Sequence, residues 1–200
     1  RYQRQAGDND VSVTGWAVQA NVLAKQFGLE INEKGLTCAE AYIDEMTDTN
    51  GRTGYIEKGG LSSRHKGQHE HDFPAGGTEA MTAVGLLCNH LLGHGPKRHA
   101  IMQSQARVLI KRPPQWLSAA KGTTVDLYYW YHGARALRLG GGNAWLPWRA
   151  ALRDALLANQ QRAGNPRGSW HPVDVWGADG GRVYATALAT MALLAAFQPR

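Results

Sequence analysis

Cysteine is scarce in this chain: its 200 residues include only Cys38 and Cys88. At most one disulfide can form, and the sequence does not demand it. Free buried thiols are the commoner outcome for isolated cysteines. The redox compartment therefore stays open, and no compartment is predicted.

Acidic residues are outnumbered, with 16 Asp and Glu against 22 Lys and Arg, which gives a formal net charge of +6. A basic surface attracts phosphates, nucleic acid or anionic lipid. The basic residues are scattered, however, and no basic run with interleaved aromatic residues or nucleic-acid-binding signature occurs. We therefore predict a solvated basic surface and no nucleic-acid partner.

Long apolar runs are also missing, and the closest one, residues 186–197, is too short for a membrane span. We predict no membrane span. The hydrophobic share of 43% and the charged share of 19% are typical of a folded protein. The length suits one domain over residues 1–200. The chain opens on Arg1 without a visible signal peptide, and we expect it to be a fragment of a longer protein.

Four apolar segments can be aligned without gaps, and a leucine lies ten residues after the start of each. They start at Val13, Met81, Leu127 and Val183. Between them lie segments with one polar side, at residues 37–47, 97–112 and 145–161. Helices that are apolar nearly all round are buried, whereas helices with one polar face are half-exposed. The alternation predicts an all-α repeat fold with inner and outer helices.

A short signature joins the last outer helix to the last inner one: Leu156, Gln160 or Gln161, Gly168 and Trp170. It resembles the repeat signature of the prenyltransferase and squalene-cyclase superfamily, which runs from an outer helix through a Gln to Gly-x-Trp. The segments DVSVTGWAVQANVLAK and GGRVYATALATMALL resemble uncharacterised bacterial members of that superfamily. The resemblance implies an α/α toroid, or part of one.

The catalytic residues of that superfamily are largely missing. Asp126 looks like the zinc-binding Asp of protein prenyltransferases, but the position of their Cys is occupied by Tyr128, and the expected His region begins at Arg182. A neutral phenol cannot replace a thiolate on zinc. The acid-rich DxDD motif of squalene cyclases has only the segment 8–10, Asp-Asn-Asp, as its nearest counterpart. We predict the scaffold without these activities and without a cofactor.

Polar residues lie at or just before the starts of three inner helices, namely Asp10 or Ser12, Glu79 and Asp126, and the alignment places them around one rim. Acids there suit the positive end of the helix dipole, which needs no ligand. The functional alternative is a ligand pocket with aromatic walls and one histidine, from Trp16, Tyr128, Trp130, Tyr131, His132 and Tyr184. Aromatic side chains on apolar helices are more often core, and His132 is more often a satisfied buried histidine.

Residues 57–77 interrupt the repeat with a Gly- and His-rich stretch, which predicts an exposed insertion loop. Its His65, His69, His71 and Asp72 have the composition of a zinc or nickel site. Loops without rigid supporting contacts make poor metal sites, so no metal is predicted. A loop over the mouth of a toroid also suits a lid or a partner-binding element.

Three functions stay open. The first is a non-catalytic module that binds protein chains or an apolar ligand. The second is an enzyme that processes prenyl or triterpene compounds, with Asp126 and aromatic side chains stabilising a carbocation. The third is a carbohydrate-active toroid enzyme with Glu79 and Asp126 as its paired carboxylates. The missing catalytic residues favour the first.

The number of helices is also informative about partners. Toroids of the superfamily close with six inner and six outer helices, whereas this sequence contains four and three. An unclosed repeat array exposes apolar edges unless its ends are capped. We therefore expect self-association, or a partner chain, at the open edges.

Overall fold

The computed structural model describes residues 9–92, 96–119 and 122–197. Its helices are α1 (Val11–Gln26), α2 (Glu33–Glu45), α3 (Gln68–Asp72), α4 (Ala80–Leu92), α5 (Pro96–Ile110), α6 (Leu127–Gly140), α7 (Gly142–Ala158) and α8 (Gly177–Phe197). A 3-10 turn at Ala75–Gly77 and an antiparallel hairpin of β1 (Ser118–Ala119) and β2 (Gly122–Thr123) complete the described elements. The all-α class is confirmed. All seven predicted helices are present, while α3, the 3-10 turn and the hairpin were not predicted.

Helices α1, α4, α6 and α8 pack in that order, each against the next, and we call them the core helices. The flanking helices are α2, α5 and α7. Helix α2 packs on α1 and α4, α5 packs on α4 and α7, and α7 packs on α6 and α8. Each flanking helix returns the chain between two core helices, so the four core helices run in the same direction.

Burial follows the predicted alternation of apolar and half-polar segments. In α4 every residue from Ala80 to Asn89 is buried, because α1 and α6 cover it on both sides. In α2 the only buried residue is Ile43. Helices α1 and α8 end the row, and Phe27, directly after α1, and Val183 of α8 are exposed.

Small residues in the core helices allow the flanking elements to approach closely. A Cβ on Gly133 of α6 would lie 2.8 Å from Cζ2 of Trp148, a buried side chain of α7. A Cβ on Gly85 of α4 would lie 2.6 Å from the hydroxyl oxygen of Thr53. Both distances are shorter than side-chain contacts allow, so these two positions depend on glycine.

The loop between α7 and α8 is fastened by the residues of the signature. The indole N–H of Trp170, a buried side chain, donates to the carbonyl of Leu156 at 2.8 Å. The side-chain amide of Gln160 donates to the carbonyl of Gly168 at 2.9 Å. The backbone N–H of Gly168 donates to the carbonyl of Gln161 at 2.8 Å. The first bond satisfies a carbonyl in the last turn of α7, and the other two hold the loop that leads to α8.

Both cysteines carry free thiols. Cys38 is exposed on α2, while Cys88 is buried in α4, where burial raises the pKa of its thiol to about 12. Cys88 is therefore a protonated core residue, whereas Cys38 is not buried, contrary to the sequence-based expectation of buried thiols.

Helix α8 is longer than its apolar segment predicts. By length and composition alone, Gly177–Phe197 meets the criterion for a membrane-crossing helix. Gly181, at φ 65°, interrupts its helical backbone near the start, and the helix packs against α6 and α7. One such helix is weak evidence, because core helices pass the same test. The expected absence of a membrane span stays a prediction.

The close contact at Gly133 gives a stability prediction. Gly133→Ala should lower the free energy of unfolding by about 1–3 kcal/mol, because the new methyl group overlaps Trp148. Urea denaturation followed by circular dichroism measures the change. Gly35→Ala on exposed α2 is the matched control, since its Cβ would meet Asn32 at an ordinary 3.4 Å. That variant should be neutral or stabilised by up to about 1 kcal/mol. Equal effects of the two substitutions would contradict the packing argument.

Candidate functional site

A cavity of about 510 Å³ lies where the four core helices begin, and we call it the N-terminal cavity. Each core helix contributes to its wall near its start, through Ser12, Met81, Tyr128 and Tyr184. Residues 62–65 of the insertion form a further side. The starts of the inner helices therefore do surround one opening, as the alignment predicts.

Asp126 lies in the wall of this cavity and performs two structural tasks. Its Oδ1 accepts the backbone N–H of Tyr129 at 2.9 Å, which caps α6. Its Oδ2 is 4.0 Å from Nη2 of Arg64, and both side chains are almost fully buried. Arg64 also donates to the carbonyls of Ser63 and Phe73. The pair thus fastens the insertion to the start of α6.

The environment of Arg64 contains two opposing effects. Burial lowers the pKa of its guanidinium, and the charge of Asp126 acts in the opposite direction. An arginine stays protonated in either case, because its ordinary pKa is above 12. The result is a buried ion pair, in which removing one partner leaves the other charge uncompensated.

Glu79 is held outside the N-terminal cavity. Its carboxylate accepts two hydrogen bonds from Arg52, at 2.9 and 3.2 Å, and lies 3.8 Å from Nε of Arg112. It also accepts the hydroxyl of Thr82 at 3.2 Å. Glu79 is not among the described residues that line the cavity with Asp126. The structure therefore does not bring the two nominated carboxylates to one cavity.

Asp174 is a buried carboxyl that the sequence reasoning overlooked. Its Oδ2 accepts the backbone N–H of Leu127 at 3.4 Å, and its Oδ1 has no hydrogen-bond partner within the described part of the chain. Burial, followed by the nearby charge of Asp126, raises the pKa of Asp174 to about 7. The sequence did contain one signal for this residue: Asp174 lies three residues before the start of a core helix, close to where an N-terminal capping acid would lie.

Tyr184 connects Asp174 to the N-terminal cavity. It lines the cavity, and its hydroxyl interacts with the Asp174 carboxyl without reaching ordinary hydrogen-bond geometry. Burial and the charges of Asp174 and Asp126 raise the pKa of Tyr184 far above its usual range. The hydroxyl is therefore a neutral polar group in the cavity wall, with a carboxyl behind it.

The predicted aromatic residues do not form one wall. Tyr128 and Tyr184 line the N-terminal cavity, whereas Trp16 and Tyr131 line a second depression further along the core helices. Trp16 stacks on Tyr131 with ring centroids 5.6 Å apart and meets Tyr128 edge-on at 6.2 Å. Trp130 lies in the core, 6.0 Å from the ring of Trp116. The aromatic cluster of Trp16, Tyr128 and Tyr131 thus stands between the two depressions.

His132 is fully buried inside that aromatic cluster. Its Nδ1 is 2.9 Å from the carbonyl oxygen of Tyr128, and its Nε2 is 3.4 Å from the side-chain amide of Gln19. Burial lowers the pKa of His132 to about 3. It is a neutral core histidine at physiological pH, which does not suit an acid–base role.

The histidines of the insertion each have a different polar partner, although the rings of His65 and His69 contact each other with centroids 5.0 Å apart. His65 pairs with Asp179 at 3.2 Å, His69 bonds the carbonyl of Val175 at 2.8 Å, and His71 pairs with its neighbour Asp72 at 3.2 Å. The rings of His65 and His69 both pack on Trp176. Among the described residues, no group of three or more His, Cys, Asp or Glu is arranged for a metal ion. The insertion is exposed over much of its length and contacts the loop before α8.

The second depression is a groove of about 620 Å³, which we call the C-terminal groove. It is lined by the later turns of all four core helices, including Leu23, Leu91, Arg135 and Leu194. Two arginines, Arg135 and Arg138, lie among mainly apolar side chains. The core helices therefore carry two separate depressions, with acidic groups at their starts and basic groups at their ends.

Comparisons of the chain with protein-family models, with curated proteins and with solved structures find no match in any of the three. The resemblance to the prenyltransferase and squalene-cyclase superfamily therefore rests on the sequence segments and the signature quoted for it. What the site does has to be argued from its own geometry.

The pKa of Asp174 predicts a pH effect that one substitution removes. The folded protein holds this proton up to about pH 7, whereas an unfolded Asp loses it near pH 4. The group therefore favours the fold at low pH and loses that contribution as pH rises between the two values. The measured quantity is the free energy of unfolding of Asp174→Asn minus that of wild type. This difference should be larger at pH 8 than at pH 4 by roughly 2–4 kcal/mol.

Urea denaturation at the two pH values measures this difference. Asp154→Asn, a change at an exposed carboxyl of α7, is the matched control and should leave the wild-type pH dependence in place. A difference between Asp174→Asn and wild type that is the same at pH 4 and pH 8 would show that burial does not raise the pKa of Asp174.

Proposed function

We propose that this chain is a non-catalytic α/α-toroid repeat module that binds a small, largely apolar molecule in the N-terminal cavity. The parallel core helices, each connected to the next through a flanking helix, support an arc of such a toroid. The hydrogen bonds around Trp170 and Gln160 give the signature a structural role, which the resemblance also implies.

One observation carries the binding role: the buried carboxylate of the cavity is already paired, and much of the wall is aromatic and apolar. Asp126 faces Arg64, and the ring of His65 lies 3.2 Å from the carboxylate of Asp179. The remaining surface includes Met81, Tyr128, Trp176 and Tyr184. A volume of about 510 Å³ lies within the ordinary range of small-molecule pockets. Such a site favours an apolar ligand with one polar group for the Tyr184 hydroxyl.

The isoprenoid alternative has one specific observation in its favour. Asp174 keeps its proton near neutral pH and lies behind Tyr184 in an aromatic cavity. A buried carboxylic acid of this kind is a proton donor when a substrate reaches it. The carbohydrate alternative lacks comparable support, because Glu79 is paired with Arg52 and Arg112 and is not among the described residues that line the cavity with Asp126.

Association with other chains is a second part of the proposal. Phe27 at the end of α1 is 76% exposed, and Val183 on α8 is 83% exposed. These side chains lie on the two helices that end the row. Apolar exposure at the ends of a repeat array favours capping by another chain or by a second copy, and sedimentation at increasing concentration tests for the second copy.

Filling the N-terminal cavity should abolish binding of a neutral apolar probe. Ser63→Trp places an indole at the side formed by the insertion, where Ser63 lines the cavity. The probe is N-phenyl-1-naphthylamine, which fluoresces in apolar sites. We expect saturable binding to wild type and an affinity at least about tenfold lower for Ser63→Trp.

Gln103→Trp, on the exposed side of α5, is the matched control and should bind the probe as wild type does. Unchanged binding by Ser63→Trp would overturn the assignment of the cavity. Farnesol incubated with wild type should be recovered unchanged. A new product that disappears in Asp174→Asn would instead support the isoprenoid alternative.

A further inference from the structure

We propose that the C-terminal groove is a second binding site, for a long-chain carboxylate whose head group is held by Arg135. This site is separate from the N-terminal cavity and does not depend on the function proposed for it. The proposal rests on the position of Arg135, the charge balance of the groove and its apolar walls.

Arg135 is a half-buried cation that lacks an acidic partner. Its Nη1 donates to the side-chain oxygen of Gln19 and, at 2.7 Å, to the hydroxyl of Tyr131. Its guanidinium carbon lies 5.4 Å from the centre of the Tyr131 ring. Within the described part of the chain, no carboxylate lies within ion-pair distance of Arg135, and neither its Nε nor its Nη2 makes a hydrogen bond. Both nitrogens therefore lack an acceptor among the described residues, and Arg135 lines the groove.

Gln19 and Tyr131 hold the guanidinium in place before any ligand arrives. Gln19 is itself anchored, because its side-chain amide donates to the carbonyl of Gly15 at 3.1 Å. Tyr131 is stacked against Trp16. A fixed guanidinium with two free donors matches the two oxygens of a carboxylate, which arginine binds as a fork.

The groove around Arg135 is apolar and carries no negative charge. Its walls include large apolar side chains that are about half exposed: Trp16 at 40%, Leu23 at 54%, Leu139 at 51% and Leu194 at 54%. No Asp or Glu is found among its described lining residues. Exposed apolar side chains grouped in one groove mark a binding surface.

Charge and shape together determine the class of ligand. A neutral hydrocarbon would leave the guanidinium without an anion, and a small inorganic anion would leave the apolar walls exposed. A single-chain carboxylate satisfies both, with its head on Arg135 and its tail along Leu139 and Leu194. The groove volume of about 620 Å³ falls in the range of pockets that hold molecules of this size.

Isothermal titration calorimetry with dodecanoate and with dodecan-1-ol tests the site on the intact chain. The two probes share a tail and differ in the charge of the head. We expect wild type to bind dodecanoate at least about tenfold more tightly than the alcohol. Arg135→Met should remove that preference while the alcohol still binds, and Arg135→Lys should retain part of it, because lysine keeps the charge without the fork.

A second variant avoids any effect of Arg135 on folding. Leu194→Glu changes an exposed position in the groove and should weaken dodecanoate binding by charge repulsion more than it weakens alcohol binding. Arg107→Met, on the exposed side of α5, is the control for loss of a positive charge and should bind both probes as wild type does. Thermal melts show that each variant is folded.

Several results would overturn the proposal. These are equal binding of acid and alcohol to wild type, no binding of either, or a preference for acid that persists in Arg135→Met. Loss of dodecanoate binding in Ser63→Trp alone would place the ligand in the N-terminal cavity instead. A dimer that forms through the groove and excludes dodecanoate would identify a second copy of the chain as the occupant.

Discussion

The carboxylate of Asp126 connects three parts of the molecule that are distant in sequence. It caps α6, it faces the buried guanidinium of Arg64 in the insertion, and its charge helps to keep the proton on Asp174 before α8. These same segments form part of the wall of the N-terminal cavity, together with the starts of α1 and α4. A neutral residue at this position would leave Arg64 as an unpaired buried cation. The cavity therefore depends on an ion pair whose structural importance does not require any ligand.

Two buried groups oppose each other in the pH dependence of the fold. The lowered pKa of His132 makes the fold lose stability as pH falls below about 6.5, because the unfolded chain gains a proton that the folded chain refuses. The raised pKa of Asp174 acts in the other direction, since stability is lost as pH rises from about 4 towards 7. Between about pH 4 and 6.5 the two contributions offset each other. A wild-type free energy of unfolding that does not change with pH in that window would thus conceal two groups with strongly shifted pKa values. Replacing either group by a residue that does not titrate would reveal the pH dependence caused by the other.

The sequence predicts the helices well and the site only in part, for a physical reason. Periodicity and apolar length are local properties, so all seven main helices follow from them. Which side of a helix faces a cavity depends on its rotation, and neighbouring residues point about 100° apart. Trp130 and Tyr131 were therefore grouped, although one lies in the core and the other in the C-terminal groove. The pairing of Glu79 with Arg52 and the burial of Asp174 depend on tertiary contacts that no local pattern reports.

The separation of the two depressions follows from how α1 and α6 approach each other. Trp16 of α1 is too large for a close helix contact, and it lies across Tyr131 and against Tyr128 and His132 of α6. This aromatic contact lies between the N-terminal cavity, which Tyr128 lines, and the C-terminal groove, which Trp16 and Tyr131 line. In the cavity the carboxylate of Asp126 is paired with Arg64, whereas Arg135 in the groove has no acidic partner within the described part of the chain. The two sites therefore differ in charge, and their ligands are expected to differ in chemistry rather than to occupy one continuous channel.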